Sequence, residues 1–119
     1  VLMKIRRRKP VKLGIRQAPQ VRSPSHRQWV RGHECVVRNA DCIGRIEAAH
    51  VRDGTDCGLG VKPADIFVIP LCSWHHRQQH NIGEKQFQFR HSINMLEIAE
   101  EFARRSPHRE VWEGKEEAA

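Results

Sequence analysis

The sequence predicts a small α+β domain tied together by zinc, and three observations lead there. The chain has 119 residues, of which 39% are hydrophobic. That is one domain with a modest core, and a bound metal would supply what the core lacks. The nine residues from Cys72 to His80 hold one cysteine and three histidines. Cys72 and His75 form a C-x-x-H pair, half of a zinc knuckle. His76 and His80 stand four residues apart, so on a helix both imidazoles share one face and can hold one metal ion. Lastly, strand signals precede helix signals: apolar, β-branched segments lie before residue 70, and a helical stripe lies near the C-terminus.

Taken in order, the chain divides into three parts. Residues 1–24 hold three prolines, many Arg and Lys and few apolar side chains, and are expected to form a flexible basic arm. The domain is expected over 25–107, with its core at 35–80, and an acidic tail over 108–119. Ser25 is the expected cap of a short helix ending at Gly32, with Trp29 and Val30 packed inward. Val36 and Val37 predict a strand between Cys35 and Cys42. Asn39–Asp41 predict a turn, so the two cysteines form a half-site, although their six-residue gap exceeds the usual two to four.

Residues 44–52 read as a strand with His50 near its end. The stretch Asp53–Gly60 is a glycine-rich loop. Ile66–Ile69 is an apolar run without alternation, which predicts a buried strand ended by Pro70. The metal-binding helix follows over 71–80. A second helix fits Glu84–Arg90. A third fits Met95–Arg105, with Asn94 and Glu97 as a capping box and an apolar stripe through Met95, Ile98, Ala99, Phe102 and Ala103.

The formal net charge is +7. From Val1 to Arg38 there are eleven Lys or Arg and one acid, Glu34. Positive charge gathered at one end is what a phosphate-binding arm looks like, so the expected partner is nucleic acid. No apolar run approaches a membrane span. The first residues lack the apolar centre of a signal peptide. A cytoplasmic chain is therefore expected, where cysteines bind metal more often than they form disulfides. In a secreted chain the four cysteines could make two bridges, but the interleaved histidines argue for metal.

The order strand, glycine-rich loop, strand, metal-binding helix resembles the ββα-metal fold of the HNH endonucleases. Within that family the chain is most similar to the small bacterial and phage group of Ref-type, RecA-dependent nucleases. The residues that carry the resemblance are Glu47-Ala-Ala-His50-Val-Arg52, the loop Gly54-Thr-Asp-Cys57-Gly-Leu-Gly60, Lys62-Pro-Ala-Asp65-Ile-Phe67, and Pro70-Leu-Cys72-Ser-Trp-His75-His76-Arg-Gln-Gln-His80. They span less than half the chain.

The resemblance implies a metal-dependent DNA endonuclease with specific roles for single residues. His50 falls at the general base, which takes a proton from the water that attacks phosphorus. His76 and His80 fall at the ligands of a catalytic divalent cation such as Mg²⁺ or Mn²⁺. That ion would offset charge on the phosphate and the leaving 3′ oxygen. Asp65 lies near the family's middle Asn, which holds the base-bearing loop by its backbone. The residue before the base is often a third ligand, and here it is Ala49. Either a softer ion binds, or a carboxylate such as Asp53, Asp65 or Glu84 completes the site.

Cys35, Cys42, Cys72 and His75 make a Cys₃His set for a structural Zn²⁺, with Cys57 a spare thiol that could stand in for His75. Arg45, Arg52, Lys62 and Arg77 are expected to meet DNA phosphates. A RecA filament is a further expected partner. The alternative reading is a zinc-stabilised DNA-binding module of the same fold that has lost activity, and Ala49 is the residue that favours it.

Overall fold

The computed structural model describes residues 21–55 and 62–113. Most of the basic arm, the glycine-rich loop from residue 56 with Cys57, and the last six residues of the acidic tail lie outside them.

Helix α1 (Pro24–Arg31) starts two residues earlier than Ser25 suggested: the cap is Ser23, whose side chain accepts from the His26 amide. Pro24 then takes the first helical position, where its missing N–H costs nothing. Strands β1 (Ile46–His50) and β2 (Val68–Cys72) pair antiparallel in a two-stranded sheet, with Ile46 opposite Cys72 and His50 opposite Val68. Helix α2 (Ser73–Ile82) follows β2 without a loop. Gly83, at a positive φ that favours glycine, turns the chain into α3 (Glu84–His91). Helix α4 (Met95–Arg105) has the expected bounds and cap, the Asn94 side chain accepting from the Glu97 amide. A short α5 (Glu110–Glu113) ends the described chain.

Three further expectations change. Pro70 does not end the second strand but lies inside it, opposite Ala48. Its carbonyl accepts from the Val36 amide. In a strand, a residue's N and C=O point to the same side, so the Pro70 nitrogen faces the outer edge and β1 loses no donor. The segment around Val36 and Val37 is not a strand: it lies along that edge through this single bond, and Arg38 turns it away with a positive φ. Packing also extends past both expected domain limits. The Asp65 amide donates to the Val21 carbonyl, and Trp112, in the expected tail, is buried against His26.

β2 is the centre of the core, and all five of its residues are buried. α1 and α2 pack on both strands, and α4 covers β2. Leu71, Ile69, Phe87 and Met95 fill the space between them. No helix among the described residues is long and apolar enough to cross a membrane.

Candidate metal centre and adjoining groove

Two sites share helix α2, on opposite sides of its first turn. The first is built where β2 becomes α2. Cys72 is both the last strand residue and the helix cap, and its Sγ accepts from the His75 amide at 3.4 Å. The same turn swings the His75 imidazole back onto the sulfur, with Nδ1 3.2 Å from Cys72 Sγ. The loop before β1 brings the other two thiols. Cys35 Sγ and Cys42 Sγ each lie 3.6 Å from the same Nδ1. Gly44 allows this approach: its φ is +93°, and a Cβ there would collide with the Ser73 hydroxyl.

One ring nitrogen cannot hydrogen-bond three sulfurs, so the arrangement is that of four donors around a common centre. For tetrahedral zinc, bond lengths of about 2.3 Å to sulfur and 2.0–2.1 Å to nitrogen place S and N about 3.5 Å apart. The observed spacings match. All four ligand atoms lie within 4.8 Å of one another, and Cys35, Cys42, Cys72 and His75 therefore form a group that can hold a metal ion. Burial keeps His75 neutral by lowering its pKa, as a ligand requires. Burial would raise the Cys72 thiol, but the His75 and Ile43 amides and the neighbouring thiols bring it below its ordinary value. Cys42 is pushed the other way, chiefly by burial.

The second site is an open groove of about 1080 Å³ between the end of β1, the 62–63 segment and the exposed side of α2. His50, Arg52, Asp53, Lys62, His76, His80 and Glu84 all line it, so seven of the residues singled out in the sequence meet there. Arg45 and Arg77 do not line it. Arg45 is exposed at the start of α2, where its carbonyl accepts from the Ser73 amide, and Arg77 points to solvent from α2. Lys85 lines the groove instead, although it also pairs with Asp53 at 3.3 Å. Its sequence position, in the first turn after Gly83, gave no sign of this.

Asp65 stands behind His50. Its Oδ1 lies 2.8 Å from His50 Nε2, and its Oδ2 accepts from the Ser23 amide at 2.8 Å and from Arg27 Nε at 3.0 Å. Burial would raise this carboxyl, but these partners outweigh it and hold the pKa below the ordinary value. Asp65 is therefore a carboxylate, His50 donates to it from Nε2, and Nδ1 keeps the lone pair. Burial lowers the His50 pKa despite the pull of Asp65, so the ring is neutral near pH 7.

Asp65 thus grips the imidazole, not the loop backbone as expected. The loop is held by Glu84, whose carboxylate accepts from the Arg52 and Asp53 amides at 2.7–3.1 Å. Gln79 ties both parts together, donating to the His50 carbonyl at 3.4 Å and to Glu84 at 3.3 Å. Neither the Gln79 bond to His50 nor the anchors Ser23 and Arg27 could be read from spacing, because those partners lie far off in sequence.

His76 and His80 share one face of α2, with ring centroids 5.0 Å apart. Among the described residues, no third His, Cys, Asp or Glu joins them in a compact ligand set. The carboxylates proposed to complete it have other partners, although Asp53 and Glu84 also line the groove: Asp65 binds His50, Glu84 the loop, and Asp53 Gln88 and Lys85. Ala49 is fully buried.

A family model described as a protein of unknown function (DUF968) matches residues 13–107. The chain belongs to the DUF968 family. No curated protein and no solved structure matches it. The DUF968 match takes in all four residues of the metal centre and every residue that lines the groove.

Proposed function

We propose that this DUF968 chain is a zinc-stabilised, metal-dependent DNA endonuclease of the HNH type. The observation that carries the reading is the His50–Asp65 pair, which presents a neutral imidazole to an open groove also lined by His76 and His80 and by Arg52, Lys62 and Lys85. Cys35, Cys42, Cys72 and His75 hold a structural Zn²⁺, which ties the loop before β1 to the start of α2.

His50 Nδ1 accepts a proton from water as its oxygen attacks phosphorus. The Nε2 proton stays on His50, donated to the Asp65 carboxylate, which fixes the ring and offsets the positive charge it gains. Gln79 and Glu84 hold the backbone from the His50 carbonyl to the Asp53 amide, so the base does not drift from the phosphate. A divalent cation held by His76 and His80 would supply positive charge to the phosphate and the leaving 3′ oxygen. Two imidazoles favour Mn²⁺ or a softer ion over Mg²⁺. Arg52, Lys62 and Lys85 supply cations along the DNA backbone.

Supercoiled plasmid is expected to be nicked by the zinc-loaded chain with Mn²⁺ and left intact with EDTA, in trials with and without a RecA filament. A second reading is a non-catalytic DNA-binding module, favoured by the absence of a third ligand beside His76 and His80 among the described residues. Salt-dependent binding without nicking under any divalent ion would establish it.

Two further results are expected. Lys62→Ala reduces the slope of log K against log salt on duplex DNA by about 0.9, the loss of one phosphate contact. An unchanged slope removes Lys62 from the interface. The rate of cleavage is full while His50 is neutral and falls as pH drops through its lowered pKa. The acid limb of the rate profile therefore has its midpoint below about 6.5, the ordinary imidazole value. A midpoint above that value contradicts the assignment of His50 as the base.

A further inference from the structure

Resting on that reading of His76 and His80, we infer that Glu47 is the positioning residue of the groove's cation site, acting through His76. Glu47 Oε1 lies 2.6 Å from His76 Nδ1. A carboxylate only accepts, so the neutral His76 ring must carry its proton on Nδ1. Nε2 is then left with its lone pair, one helical turn from the His80 ring. Free histidine in water favours the opposite tautomer, with the proton on Nε2. Without Glu47, the ring would most often present a proton where a ligand needs a lone pair.

A histidine that binds a metal commonly donates its other N–H to a carboxylate, which fixes the ring and raises its basicity. Glu47 is placed for this by the strand. It sits two residues before Ala49, on the same face of β1 by alternation, and opposite Leu71. The chain thus lacks a carboxylate ligand at position 49 but carries at 47 a carboxylate that reaches the ligand histidine. Both side chains are partly exposed, 23% for His76 and 33% for Glu47. As a mere surface ion pair the contact would contribute little to stability, and it would have no bearing on cation affinity.

The test uses the full zinc-loaded chain, labelled with ¹⁵N. Long-range ¹H–¹⁵N spectra at about pH 8, where histidine is ordinarily neutral, report which ring nitrogen of His76 is protonated. The proton is expected on Nδ1 in the wild type and in Glu47→Gln, whose amide oxygen still accepts, and on Nε2 in Glu47→Ala. Mn²⁺ binding is then measured by electron paramagnetic resonance. Glu47→Ala should weaken it by about 10–100-fold, and Glu47→Gln by clearly less. Equal losses in the two variants would make Glu47 a direct ligand and overturn the positioning role. So would a tautomer change with unaltered Mn²⁺ affinity, or Nε2 protonation in the wild type. If the wild type binds no Mn²⁺ that His80→Ala removes, the cation reading itself falls, and this inference with it.

Discussion

Cys42→Ser is expected to leave the chain unfolded or aggregated, with no bound zinc. Cys42 is the most informative of the three thiols to replace. Cys35 and Cys72 are buried in the core, so their loss also disturbs packing, whereas Cys42 is only partly buried. Serine keeps its shape but is a poor zinc ligand. Closed four-ligand zinc sites contribute on the order of 10 kcal/mol to folding, and a domain of this size has a net stability of roughly 5–15 kcal/mol. Loss of the site therefore removes most of what holds the fold. The wild type should carry about one zinc per chain by elemental analysis, and a strong chelator should reproduce the variant's circular dichroism. A zinc-free protein with an unchanged melting temperature would show that the four residues hold no structural metal.

His50→Ala is expected to lower the single-turnover cleavage rate by about 10²–10⁴-fold, the usual loss when a general base is removed. DNA affinity and metal content should change little, because the base acts on the attacking water and contributes mainly to the transition state. His76→Ala should instead lose activity by losing the cation, so excess Mn²⁺ restores part of it. Excess Mn²⁺ should not restore His50→Ala. If it does, His50 is a ligand that substitutes for the residue missing at Ala49, and the hydrogen bond to Asp65 serves to orient a ligand.

The metal centre and the C-terminal helix were the most legible parts of the sequence, for a local reason. Cys72–His75 and His76–His80 are each set by one turn of helix, and Asn94 caps α4 through a residue three positions on. Strand ends were less so. Pro70 reads as a breaker, yet a two-stranded sheet has only edges, and its nitrogen faces the outer one. The strand expected near Val36 failed because residues 34–45 serve to carry two thiols to α2, and a single bond to Pro70 replaces a ladder. The partners of Asp65 were not legible at all: Ser23 and Arg27 lie 42 and 38 residues away. Glu47 carries no spacing signal of its own, because the ligand position of the resembled family falls on Ala49, although alternation on β1 puts the two on one face.

The most direct measurement of the proposed nuclease activity follows the ends that cleavage leaves. Water attack on phosphorus with departure of the 3′ oxygen yields a 5′-phosphate and a 3′-hydroxyl. Plasmid nicked by the wild type in Mn²⁺ should therefore be resealed by DNA ligase without prior repair of its ends, and His50→Ala prepared in parallel should give almost no nicked product. Absence of Mn²⁺-dependent nicking by the zinc-loaded wild type, or equal nicking by His50→Ala, would contradict the account.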